Sequence, residues 1–318
     1  MIPGGIYCTG NIVVDTLVRP VEGLPAWSTT TYVDSISTHL GGNGAVTAYA
    51  AAMMGVPVKL AGAVGRDHAG DYAIRRLGSA GVDVSTVRRL EGAATAETVG
   101  LVNREGNRLF FHELGASAVF SAADLSLDAE TVNGLGIFHY GSVFCLPALR
   151  PDARRVLERA KAAGMTVSVD SDWDTEGRWI EEFGPLCPLM DYLFVNLEEG
   201  AKLTGRTASG EIGGFFRDRG VPTVVVKTGA RGCSVFSAAG SFESPAFEVE
   251  VLDSTGAGDC FCGAFLAGLC RGFDLREAAR LANAVAAHCI QRVGCSEGVA
   301  DFESTRDWMA QRQSGASG

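Results

Sequence analysis

The sequence predicts an α/β protein: a doubly wound, mostly parallel sheet flanked by helices, with a small β-sheet lid. Three observations predict it. Short apolar runs of strand length alternate with helical stretches, each closed by a glycine. Two further segments alternate apolar and polar residues, as strands with one wet face do. The 318 residues, 47% hydrophobic and 20% charged, suffice to bury a large core.

Fully buried strands are expected at residues 6–8, 58–64, 137–140, 166–169, 192–195 and 224–226. Helices are expected at 45–54, 67–80, 147–163, 198–203 and 211–219, closed by Gly55, Gly81, Gly164, Gly205 and Gly220. Strand, helix, glycine, strand is the rhythm of parallel crossovers. It breaks at 29–38, where Tyr32, Asp34 and Ile36 sit among Thr and Ser, and at 96–114, where Val99, Leu101, Leu109 and Phe111 alternate with polar neighbours. These one-sided strands are expected to pair as a lid, with lid segments at about 12–38 and 96–114. One domain over 1–310 and a flexible, polar tail over 311–318 complete the organisation.

Charge and cysteine usage exclude several roles. With 27 Lys+Arg against 37 Asp+Glu and a net charge of −10, no basic field exists for nucleic acid. Residues 1–10 lack a basic then apolar leader, and no apolar run approaches the roughly 20 residues that span a bilayer, so no membrane partner and a cytoplasmic location are expected. The nine cysteines include no C-x-x-C pair and are read as reduced, small buried hydrophobes rather than metal ligands.

The chemistry concentrates in Asp253-Ser-Thr-Gly-Ala-Gly-Asp259, a small-residue loop running into an apolar helix with Phe261, Phe265 and Leu269 at i, i+4 and i+8. Gly256, Ala257 and Gly258 would present backbone N–H groups and a positive helix end to an anion such as a phosphoryl group. Asp259 could take the proton of a substrate hydroxyl during phosphoryl transfer. The same spacing also suits a helix-capping aspartate over a tight turn. No G-x-x-x-x-G-K-[ST] occurs, so a P-loop is excluded, and no G-x-G-x-x-G follows a strand.

The stretch 253–261 resembles the C-terminal signature of the ribokinase-like (PfkB-type) carbohydrate kinases. Gly41-Gly42-Asn43-Gly44-Ala45 resembles that family's glycine pair, Asn196-Leu-Glu-Glu199 its N-x-x-E element, and Lys227-Thr-Gly-Ala-Arg-Gly232 its nucleotide loop. These fall in the family's order over nearly the whole chain. The resemblance implies a ribokinase-like fold and an ATP-dependent kinase acting on a hydroxymethyl group, with Asp259 as base and Gly256, Ala257 and Gly258 as anion hole. It implies Asp15, Gly42 and Asn43 against the substrate, and Asn196, Lys227, Thr228, Gly229, Ala230, Arg231, Gly232 and Asn283 around ATP. Glu199 would order the waters of Mg²⁺. A K⁺ site is implied at Asp253, Thr255, Cys289, Arg292 and Gly294, with Gly298 at a position that is commonly Ser. Pairing of such kinases through their lids implies a homodimer.

The sequence also departs from the family. Val13 and Val46 stand where many of these sugar kinases carry substrate-contacting Asn, and no Glu occurs at 142–144, so ribose is not the first expectation. Trp27, His112, Phe144 and Trp173 are candidates for an altered pocket, and each suits core or lid packing as well. Residues 41–52 contain no Lys or Arg, and Asp15 would repel a phosphate, which favours a neutral sugar; only Arg104 and Arg108 of the lid could oppose this. A nucleoside kinase, or a non-catalytic sugar- or nucleotide-sensing protein on the same scaffold, is the alternative.

Overall fold

The computed structural model describes residues 4–105, 107–141 and 143–314. In chain order the elements begin β1 (Gly5–Thr9), β2 (Val13–Arg19), β3 (Ser35–Gly41), α1 (Asn43–Met53), β4 (Val58–Gly65), α2 (His68–Ser79), β5 (Val82–Asp83) and β6 (Val87–Leu90). Next come β7 (Ala96–Val102), β8 (Arg108–Glu113), β9 (Leu135–Tyr140), α3 (Ala153–Ala162), β10 (Thr166–Asp170), α4 (Trp179–Phe183), β11 (Tyr192–Asn196) and α5 (Leu197–Thr204). The chain continues through α6 (Ser209–Arg217), β12 (Thr223–Lys227), β13 (Cys233–Ser237), β14 (Gly240–Ser244), α7 (Ala257–Cys270), α8 (Leu275–Cys289) and α9 (Phe302–Ser314).

The six apolar runs expected as buried strands are β1, β4, β9, β10, β11 and β12, and they pair in parallel. The full order is β14-β13-β12-β11-β10-β9-β1-β4-β5, with β13 and β14 antiparallel at one edge and β6 beside β4. Two buried cores lie on its faces. One joins Ile6, Leu60, Phe194 and Val225 to α1, α7 and α8; the other joins Tyr7, Phe138, Val169 and Val224 to α3 and α6. Helices α1 and α7 approach closely because position 263 is glycine: a Cβ there would lie 2.4 Å from the Thr47 carbonyl oxygen. That contact fixes where α7 begins, and so where Asp259 stands.

The lid is a separate four-stranded sheet in the order β3-β2-β7-β8. It corrects the expectation in two ways. Residues 29–34 are not strand, since β3 starts at Ser35, and the two one-sided segments do not pair with each other because β2 lies between them. Strand β2 escapes an alternation search because Val13, Val14 and Leu17 are all buried, giving it apolar groups on both faces. Of the tail expected to be flexible, 311–314 continue helix α9, while 315–318, like Ser142, lie outside the described residues. Among the described residues no helix is long and apolar enough to cross a membrane, and no disulfide joins any of the nine cysteines.

Candidate active site

Ligands of open α/β sheets bind beyond the carboxyl ends of the strands. There the chain forms a cleft of about 370 Å³ lined by Asn11, Asn43, Gly141, Cys145, Asp170, Asp172, Glu199, Lys227, Gly258 and Asp259. Its floor is the start of α7. Gly256 caps that helix with φ +75°, and a Cβ on it would lie 2.5 Å from Cys295 Cβ, so glycine alone admits the turn. The first-turn N–H groups have no acceptor inside the helix, and the dipole adds positive potential beside them. Asp259, in the first turn, is not the capping residue, and its carboxylate accepts no hydrogen bond from the described residues. It is therefore free to face the cleft.

Around Asp259 stand three more carboxylates and one ammonium group. Lys227 Nζ donates to Asp170 Oδ2 at 2.7 Å, and the Cys262 thiol donates to the same oxygen at 3.1 Å. Burial opposes the charge on Lys227, but Asp170 and Glu199 outweigh it and hold the ammonium well above its ordinary value. Glu199 is fixed by a capping box at the start of α5. Its N–H donates to Asn196 Oδ1 at 2.8 Å, and its carboxylate accepts from the Asn196 N–H at 3.1 Å and from Ser171 Oγ at 2.7 Å. Burial, opposed by Lys227 and reinforced by Asp170, pushes Glu199 up to about 7. Burial, with repulsion from Asp170, Asp172 and Glu199, pushes Asp259 up to about 8. An acid with that proton affinity suits a base working near neutrality.

The opposite wall carries Asn43 and Asp172. The Asn43 N–H donates to Asn11 Oδ1 at 2.8 Å, and the Asn43 side-chain amide donates to Asp172 Oδ2, which also accepts the Cys145 thiol at 2.9 Å. Gly42 holds φ +87° with Asn11 O where a Cβ would be. Asp15 lies on β2 in one cross-strand row with His39, Thr98 and His112, facing in under the lid. A Cβ on Gly41 would meet Asp15 Oδ2 at 2.1 Å, so Asp15 packs against the glycine pair. Burial raises its carboxyl, partly offset by the Thr98 hydroxyl.

Not every expected residue reaches the cleft. Of the loop after β12 only Lys227 does; Thr228, Gly229, Ala230, Arg231 and Gly232 form an open turn closed by the Thr228 N–H on Gly232 O at 2.8 Å. Asn283 is buried on α8 and donates to Ser244 O at 3.0 Å and Pro245 O at 3.2 Å, bracing the chain after β14. Trp27 is 99% exposed, Phe144 is buried against Phe183, and Trp173 packs edge-on to Trp179, so none of the three lines the pocket. Asp170 and Asp172 are the residues sequence reasoning missed. Their signal was present: Asp170-Ser-Asp172-Trp-Asp174 directly follows the buried strand expected at 166–169.

The chain matches the model of the pfkB family carbohydrate kinases over residues 6–301. It is 31% identical over 307 residues to an ATP-dependent ribose-1-phosphate kinase of Halopiger xanaduensis, covering 95% of this chain and 98% of that protein. It is 27% identical over 286 residues to fructokinase-2 of Zea mays, covering 85% of each. A putative ribokinase II from E. coli, solved with ATP and Mg²⁺, superposes with a TM-score of 0.85 at 26% identity, covering 97% of this chain and 99% of that one. The chain belongs to the pfkB family of carbohydrate kinases, and it is a phosphotransferase with an alcohol group as acceptor.

Proposed function

From that membership we propose that the chain transfers the γ-phosphoryl group of ATP to a hydroxymethyl group of a neutral sugar or sugar-like substrate. The observation that carries the reading is Asp259: an unbonded carboxylate of high proton affinity, at a helix start, facing a cleft it shares with hydroxyl-binding groups. The substrate hydroxyl gives its proton to the Asp259 carboxylate as its oxygen forms the new bond to phosphorus. The bond from phosphorus to the bridging oxygen breaks, and ADP leaves with that electron pair. The N–H groups of Gly256, Ala257 and Gly258 take up charge developing on the phosphoryl oxygens. Lys227, locked to Asp170 and in reach of Gly258, adds a fixed positive charge on the same side.

A divalent cation carrying its own water shell fits this site. Among the described residues no three His, Cys, Asp or Glu side chains stand close enough to hold a bare ion, but Asp170, Asp172, Glu199 and Asp259 face a single lysine, and Asp170 Oδ1 is buried without a hydrogen-bond partner. Glu199 and Asp170 would hold Mg²⁺ through water, and the ion would neutralise charge on the nucleotide phosphates. Thr228, Gly229, Ala230, Arg231 and Gly232, with Asn196 and the chain braced by Asn283, form the nucleotide side. Asp15, Gly42, Asn43 and Asp172 form the sugar side.

Two carboxylates, Asp15 and Asp172, stand on that sugar side, where they accept hydroxyl hydrogens and repel phosphate oxygens. A sugar phosphate is the second reading, favoured by the identity to the Halopiger ribose-1-phosphate kinase. The deciding experiment compares kcat/KM with ATP for fructose, ribose, adenosine, ribose 1-phosphate, fructose 1-phosphate and fructose 6-phosphate. A preference for free sugars supports the first reading, a preference for a phosphorylated sugar replaces it with the second, and a preference for adenosine makes the chain a nucleoside kinase. We also propose that a second copy covers the outer lid face, where Ile36, Val99, Leu109 and Phe111 lie exposed on one side of the sheet.

A further inference from the structure

We propose that Arg108 of the lid supplies, from within the chain, the positive charge that a free K⁺ would bring beside the loop before α7, so that turnover is independent of potassium. The inference rests on the kinase reading of that loop. Asp253 is the one acidic residue of the implied potassium set, and both of its oxygens already accept hydrogen bonds. Oδ1 accepts the Thr255 N–H at 3.0 Å and the Thr255 hydroxyl at 2.7 Å and forms an ion pair with Arg108 Nη2 at 3.1 Å; Oδ2 accepts the Gly294 N–H at 3.0 Å. The guanidinium also donates to Thr255 Oγ1 and, at 3.1 Å, to Ser254 Oγ. A guanidinium keeps its charge at any working pH and presents donors in a fixed fork, so it offsets Asp253 permanently.

Two carbonyls of the implied site are engaged as well. An alkali cation needs several oxygens converging on one point in place of its hydration shell. Here the Cys289 carbonyl accepts the Arg292 N–H at 3.2 Å, and the Thr255 carbonyl faces the Cys289 thiol at 3.6 Å. At Gly298, a Cβ would fall 2.1 Å from the His288 carbonyl oxygen, so no serine hydroxyl could stand there without moving the backbone. His39, next to β2 in the lid, packs over Gly294, whose Cβ would lie 2.4 Å from His39 Nδ1. The lid therefore grips the loop before α7 through Arg108 and the segment after α8 through His39. Arg108 is a positioning residue: it acts through Asp253 and Thr255 on the N–H groups that follow.

The test measures turnover and thermal unfolding in KCl, NaCl and choline chloride at equal ionic strength. The wild type is expected to keep kcat/KM within about twofold across the three salts, with no potassium-specific rise in Tm, because no bound ion is linked to folding. Arg108→Gln is expected to lose about tenfold or more in kcat, with guanidinium chloride at sub-denaturing concentration restoring part of it. Potassium-specific stimulation or stabilisation of the wild type overturns the proposal. So does an Arg108→Gln enzyme with full kcat, or one whose only defect is a raised KM for a phosphorylated sugar. The thermal arm reports on the cation site without a turnover substrate, so failure of the kinase reading, seen as no phosphoryl transfer to any sugar or nucleoside, stays distinguishable.

Discussion

Replacing Asp259 by asparagine should abolish most turnover and at the same time stabilise the fold at alkaline pH. The two effects share one cause. In the unfolded chain this carboxyl titrates near 3.8, and in the fold it is pushed up to about 8 by burial and by repulsion from Asp170, Asp172 and Glu199. Between those values the folded chain holds a proton that the unfolded chain has released, so unfolding free energy falls as pH rises through the window and levels off above it. At about 1.4 kcal/mol per tenfold change in proton affinity, four decades set an upper limit of about 6 kcal/mol. Solvent in the cleft and sharing of the proton among four carboxylates reduce the part assignable to Asp259 to about 1–3 kcal/mol. Asparagine mimics the protonated acid. The variant and wild type should therefore be equally stable at about pH 3, below both values, and the variant about 1–3 kcal/mol more stable near pH 8.5, read by urea denaturation at both pH values. Its kcat should fall by about 10² to 10⁴. In the wild type, log kcat/KM should rise with unit slope toward the same apparent pKa. Wild-type turnover in the variant, or a stability difference that does not grow with pH, would refute the assignment of the base.

Lys227→Met should destabilise the fold by about 3–5 kcal/mol near pH 7, because it leaves Asp170 buried without its ion-pair partner. It should also move the acid limb of kcat/KM to higher pH, since Lys227 is the charge that lowers both Glu199 and Asp259; a variant with unchanged stability and pH profile counts against the coupled cluster. For the outer lid face, light scattering at micromolar concentration should find a wild-type dimer and a Phe111→Glu monomer, whereas a wild-type monomer dismisses pairing through the lids.

The parts of this molecule legible in the sequence are those where a backbone requirement or a continuous buried surface restricts the residue choice. The six central strands could be read because both faces are covered and most side chains are apolar, and the start of α7 because Gly256 must adopt positive φ under Cys295. Strand β2 was harder because Val13 and Val14 are covered on both faces while Asp15 and Thr16 interrupt the apolar run, so it shows neither the continuous run of the central strands nor the alternation that marks β7 and β8. Asp170 and Asp172 lay in plain view as an acidic run at a strand end. What that run could not show is that Lys227, 57 positions later than Asp170, would reach across from β12, on the far side of β11, and turn two separate charges into one buried pair. Arg108 and Ser254 stand 146 positions apart and meet only because the lid folds back over the loop, so nothing local in either segment announces the contact. Glycines and apolar runs report on their own backbone. Charges report on partners that topology alone brings together, and at this site those partners set the proton affinity of Asp259 and hold the loop that presents it.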